Sequence, residues 1–230
     1  MNKNLAKGLL GLSAAWLVYA AASYCLGLKP YSALEPEANI AELAVGFSAA
    51  VLLFVHYYKS KQFLSLGIGL AVISWTLGEL FWFSNQVITV NPLPYPSVGE
   101  FGFLGVYFFL AGAIGGIKNN GRHPLVILLL TLLIVLIPVF LVFHGKGSLG
   151  ALIYNFVFIA AIAFISYKAL SKYTSDYRYL FWGILFFCLT DIIFIIEANT
   201  RDYTFICDML YPLALSLLAY GAMKEGAHNS

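Results

Sequence analysis

Glu42, Glu79, Glu100, Asp191, Glu197 and Asp208 lie within or at the ends of long apolar runs. A charged group in hydrocarbon costs roughly 2.5–3.5 kcal/mol on insertion scales, so acids that persist there face a bundle interior or a wet cavity. Around Glu79 the spacing adds chemistry. Trp75, Gly78, Glu79, Trp82 and Gln86 share one helical face, which carries two indole N–H donors, a carboxyl and an amide. Asp191 sits centrally in a later run, and Asp208 and Tyr211 open the one after it. These residues form the candidate ligand-binding set: Glu79, Trp75, Trp82, Glu100, Asp191, Asp208 and Tyr211. Such a set suits a cationic or hydrogen-bond-donating ligand. The competing reading is structural. Glu79 and Asp191 would then be protonated and bonded to a neighbouring helix, Glu42, Glu100 and Glu197 hydrated at the interface, and Trp75 and Trp82 ordinary packing aromatics.

The elements that must hold these groups follow from composition. The chain has 230 residues, 61% hydrophobic and 10% charged, against about 25% charged in a soluble domain. This is the composition of an all-α integral membrane protein. With about 20 apolar residues needed per crossing, eight transmembrane helices are expected in a single membrane domain. They fall near 8–27, 41–58, 63–85, 100–117, 124–143, 149–168, 179–198 and 203–223. The first stretch is too long for a cleaved leader and lacks a small-x-small site, so it is read as an uncleaved helix. The fifth span has Thr131 as its polar side chain and reads as a lipid-facing peripheral helix.

Basic residues set the orientation. With the N-terminus inside, Lys3, Lys7, Lys59, Lys61, Lys118, Arg122, Lys168, Lys172, Arg178 and Lys224 are cytoplasmic, and Lys29, Lys146 and Arg201 are outside. The positive-inside rule therefore places both termini in the cytoplasm of a cell-membrane, multi-pass protein. It also puts the acids toward the outer face, with Glu79 about 9 Å below the end of its helix at 1.5 Å per residue. The basic residues form no patch that would suit nucleic acid.

A weak repeat relates Leu77-Gly78-Glu79-Leu80-Phe81-Trp82 to Leu189-Thr190-Asp191-Ile192-Ile193-Phe194, each acid being followed across an outer connection by a second, Glu100 or Asp208. Two parallel four-helix halves would result. The outer loop 86–99 is uncharged and stiffened by Pro92, Pro94 and Pro96, and Ser97 with Glu100 forms a capping-box pattern.

Pro94-Tyr95-Pro96-Ser97-Val98-Gly99-Glu100-Phe101-Gly102-Phe103-Leu104 resembles the Pro-Phe-Pro-Ser-x-x-Asp-x-x-Tyr-Leu stretch in the multi-span sensor-like regions of bacterial diguanylate cyclases. Gly78-Glu79-Leu80-Phe81-Trp82 resembles the Gly-[Asp/Glu]-x-x-Trp helix that precedes it there, and Leu189-Thr190-Asp191-Ile192-Ile193 the later helix with a central acid. Glu100 stands where Asp is usual, and no cyclase domain follows Lys224. The resemblance implies a sensory or ligand-binding membrane module standing alone, its signalling partner a separate cytoplasmic protein.

Gly78-Glu79 and Thr190-Asp191 also resemble the Gly-Asp and Ser-Asp positions of the eight-span lysoplasmalogenase family. That kinship would make Glu79 and Asp191 catalytic, one activating a water and the other protonating a leaving group. Glu stands for Asp and Thr for Ser, and the Pro-x-Pro-Ser loop has no counterpart there. A small-solute transporter is the third reading, with Pro138 and Pro212 as mid-span prolines.

Other chemistry finds no residues to carry it. His56, His123, His144 and His228 sit at span ends or in the tail, which disfavours a buried zinc site. No lysine lies mid-span for a retinal Schiff base. Cys25, Cys188 and Cys207 show no metal-ligand spacing and read as apolar packing residues.

Overall fold

The structure is a computed structural model that describes residues 2–88, 96–117, 128, 131, 132, 136, 139, 149–200 and 206–225. It is all-helical over those residues. The helices are α1 (Asn2–Cys25), α2 (Tyr31–Ser60), α3 (Phe63–Ile88), α4 (Gly99–Gly115), α5 (Leu149–Ser171), α6 (Arg178–Thr200) and α7 (Ile206–Glu225), with a 3₁₀ turn at Ser175–Tyr177 before α6. Six of them are long and apolar enough to cross a membrane, and α4 is a shorter apolar helix of 17 residues. The chain is thus a multi-pass membrane protein by helix length and composition. The expected span 124–143 lies outside the described residues except for five positions. Those five are helical, with Thr131 buried and Leu128, Leu132 and Leu136 exposed.

Helices α2 to α7 form a ring in which each packs on the next and α7 closes on α2. α7 also touches α3 across the ring, while α1 lies outside against α2 and α7. The most extensive pairings are α3 with α4 and α6 with α7. Apolar side chains fill the ring interior, Trp75, Phe158, Phe181 and Phe187 being the largest fully buried ones.

The α3–α4 pair packs backbone to backbone. A Cβ on Gly102 would lie 2.7 Å from the Ser74 carbonyl oxygen and 2.9 Å from Gly78 Cα. The Ser74 hydroxyl donates to the Gly102 carbonyl at 2.8 Å. Small residues are what allow helices in lipid to approach this closely.

Two element ends depart from expectation. α2 starts at Tyr31, ten residues before the expected span, despite Glu35, Pro36 and Glu37. The early turns hold because Leu34 and Ala38 are buried with Ala20 and Met209, joining α2 to α1 and α7. Glu37 meanwhile pairs with Lys29 at 2.6 Å and accepts from the Tyr19 hydroxyl at 2.9 Å. Hydrogen bonds to Glu37 first, then to Tyr19, hold the Lys29 ammonium pKa above its ordinary value.

The capping box forms only in part. α4 begins at Gly99 with Val98 as its N-cap, one residue later than the box requires. The Ser97 N–H does donate to Glu100 Oε2, but the Ser97 hydroxyl donates to that same oxygen and accepts from the Gly99 N–H. At the far end of α4, buried Lys172 donates to the carbonyls of Gly115 and Ile117, satisfying acceptors the helix leaves open. Burial, and then the charge of Lys168, lower the Lys172 pKa.

Candidate functional site

The sequence grouped seven side chains into one pocket. The structure divides them among three surroundings, because the broad face of α3 is shared by α2, α4 and α7.

Inside the ring, Asp191 is 2% exposed. Its Oδ1 accepts from the Tyr211 hydroxyl of α7 at 2.6 Å and its Oδ2 from the Tyr107 hydroxyl of α4. Aromatic rings surround this triad. Trp75 lies 4.7 Å from Tyr211 between ring centroids, Phe187 lies 5.8 Å from Tyr211, and Phe158 meets Tyr107 edge-on at 5.5 Å. Asp191 therefore joins three helices through two hydroxyls, each carboxyl oxygen having a donor. Trp75 belongs to this packing, the role that the structural reading gave it.

A second group gathers toward the end of the bundle where α1 connects to α2. Glu42 of α2, Glu79 of α3 and Asp208 of α7 are near enough for their charges to act on one another. Glu42 is 2% exposed, and its Oε1 is buried without a hydrogen-bond partner. Glu79 and Asp208 are half-buried. Beside them the Cys207 thiol lies 3.1 Å from Glu197 Oε2 and 3.2 Å from Asp208 Oδ1, so its single proton serves one carboxylate or the other. Glu197 is buried as well. The expectation that Glu42, Glu100 and Glu197 are hydrated at the interface is thus corrected. Each is buried in protein: Glu42 on α2, Glu197 beside the Cys207 thiol of α7, and Glu100 among residues of α3, α4 and α5.

The third surroundings belong to Glu100 and Trp82. The Trp82 ring rests against Gly99, where a Cβ would meet it at 2.5 Å, and its indole nitrogen is buried without a partner. Glu100 lines a separate cavity between α3, α4 and α5. Gln86 was expected on the α3 face, but its side chain lies outside the described residues.

Sequence reasoning missed Tyr107, the second donor to Asp191. It stands seven residues beyond Glu100 and so on the same face of α4, a signal available from spacing alone. It also gave Glu42 and Cys207 no place in the site. All three cysteines are free thiols, Cys25 exposed and the other two buried. Among the described residues, no three His, Cys, Asp or Glu side chains converge closely enough to hold a metal ion.

Comparison with known proteins finds no matching family model, no matching curated protein and no matching solved structure.

Proposed function

We propose that the chain is a sensor-type ligand-binding module of the cell membrane. It has eight spans with both termini cytoplasmic, and its outward-facing acidic pocket takes a cationic or hydrogen-bond-donating ligand. The observation that carries this reading is the buried Glu42 oxygen left unbonded, with Glu79 and Asp208 on two neighbouring helices near enough for their charges to act on Glu42. Carboxyl groups held within charge range of one another inside a low-dielectric bundle are costly unless protons or a positively charged or donating partner compensate them. Among the described residues the one ion pair is Lys29 with Glu37, so no described lysine or arginine is paired with these acids. A ligand that does so gains both Coulombic attraction and hydrogen bonds. Such a ligand would draw α2, α3 and α7 together, and the helix ends on the opposite side would report the change to a cytoplasmic partner. The positive-inside count and the resemblance of the Pro94–Leu104 stretch to cyclase-linked sensor regions support the same reading.

The hydrolase alternative needs Glu79 and Asp191 to act on one bond. Glu79 lies within charge range of Glu42 and Asp208, whereas both oxygens of Asp191 are taken by Tyr211 and Tyr107. The sensor reading is preferred on that ground.

The test is native mass spectrometry of gently purified protein, wild type against a Glu42→Gln, Glu79→Gln double variant. A cationic or hydrogen-bond-donating small molecule or lipid retained only by wild type is the expected result. Identical spectra with nothing retained by either form would refute the pocket.

A further inference from the structure

Glu100 opens α4, in the turn where the helix dipole favours a negative charge. It is nonetheless 3% exposed. Its two oxygens are treated differently. Oε2 takes both the N–H and the hydroxyl of Ser97, whereas Oε1 is buried with no hydrogen-bond partner. A buried acceptor left unbonded costs about 1–3 kcal/mol, and more when charged, so the place calls for a donor.

Glu100 also lines a cavity of about 390 Å³, within the size range of small-molecule sites. The other walls are Phe81 of α3, Phe101 and Leu104 of α4, Tyr154 of α5, and the Pro96–Val98 segment. These walls are almost wholly apolar, and three are aromatic. An ammonium group beside a carboxylate and aromatic faces gains a charge-assisted hydrogen bond together with cation–π attraction. An anion would be repelled by Glu100. A neutral apolar molecule would fill the space and leave Oε1 unbonded.

We infer that this cavity is a second binding site, distinct from the Glu42–Glu79–Asp208 group, for a primary or secondary ammonium carrying an apolar body. The Glu100 carboxyl group turns Oε1 toward the cavity to accept from the ammonium, and the body lies among Phe81, Phe101, Leu104 and Tyr154. A free amine and a lipid with an amine headgroup share this chemistry, and the choice of bilayer separates them.

The experiment uses the full chain in phosphatidylcholine nanodiscs, titrated with 2-phenylethylamine and, as its neutral counterpart, 2-phenylethanol. Isothermal calorimetry reads the affinities. Saturable amine binding, at least tenfold tighter than the alcohol, is expected. Glu100→Gln keeps an acceptor for Ser97 but removes the charge, and it should erase that tenfold preference. Leu104→Trp fills the cavity with Glu100 intact and should abolish binding of both probes, while circular dichroism verifies that the helices remain. In nanodiscs containing phosphatidylethanolamine, loss of amine binding by competition assigns the site to a lipid headgroup, and unchanged binding assigns it to a free amine. The inference is overturned if the amine does not saturate, if the alcohol binds equally well, or if both variants, still helical, bind as wild type does.

Discussion

Tyr211→Phe removes one hydroxyl and almost no volume, so it isolates what the hydrogen bond to Asp191 contributes. The bond is 2.6 Å long and joins α6 to α7 inside the ring. In water-soluble proteins a hydrogen bond to a charged group is worth about 1.5–3 kcal/mol, whereas interhelical bonds in lipid average about 0.6 and reach about 1.7. With Tyr107 still donating to the second oxygen, a loss of about 1–2 kcal/mol is expected for Tyr211→Phe, and a similar loss for Tyr107→Phe. The double variant leaves a 2%-exposed carboxyl with neither donor, so its cost should exceed the sum of the two, reaching about 3 kcal/mol or more. Adding Asp191→Leu then removes the stranded group and restores most of the loss, because no polar atom of the triad is left unbonded. Unfolding in mixed micelles by sodium dodecyl sulfate, followed by far-ultraviolet circular dichroism, measures all four variants. The reasoning fails if both single variants stay within about 0.3 kcal/mol of wild type. It fails equally if the triple variant is less stable than the double.

Close helix approach gives a second prediction. Gly102→Ala forces its Cβ onto the Ser74 carbonyl and Gly78 and should cost about 1–3 kcal/mol in the same unfolding assay. Gly112→Ala, with nothing within 4 Å of the added carbon, should be neutral or stabilising by up to about 1 kcal/mol. Orientation is checked by thiol labelling. Exposed Cys25, at the end of α1, should react with a membrane-impermeant maleimide on intact cells, and a Ser60→Cys variant lacking Cys25 only after permeabilisation. The reverse pattern would overturn the cytoplasmic placement of the N-terminus.

How much of this was legible in the sequence varied with the kind of signal. The described helices follow apolar runs, because twenty apolar residues have few alternatives to spanning a bilayer. α2 was read ten residues too short because Glu35, Pro36 and Glu37 lower the local hydropathy. What holds that end is the burial of Leu34 and Ala38 against α1 and α7, a contact between distant segments that periodicity does not reveal. The same limit applies to the acids. Trp75, Glu79 and Trp82 do share one face of α3, as their spacing indicated. Which neighbour meets each of them depends on how α2, α4 and α7 divide that face. So Trp75 entered the aromatic core, Glu79 came within charge range of Glu42 and Asp208, and Trp82 lay on Gly99. Tyr107 escaped notice because hydropathy counts it with the apolar aromatics, while its hydroxyl does the connecting.

The central place of α7 has a bearing on how the protein is made. It follows the other described helices in the chain, yet it packs on α1, α2, α3 and α6 and supplies Tyr211 and Asp208 to the polar interior. At about 5–20 residues per second, the earlier helices wait several seconds in the translocon or bilayer before α7 arrives. During that interval Asp191 lacks one of its two donors, and Glu42 and Glu79 lack the helix that covers them. A chain stalled before residue 206 would therefore leave these acidic groups uncovered in the bilayer, at the cost that unpaired polar groups carry there. Asp191 is thus fully partnered only once synthesis has gone far enough to deliver α7.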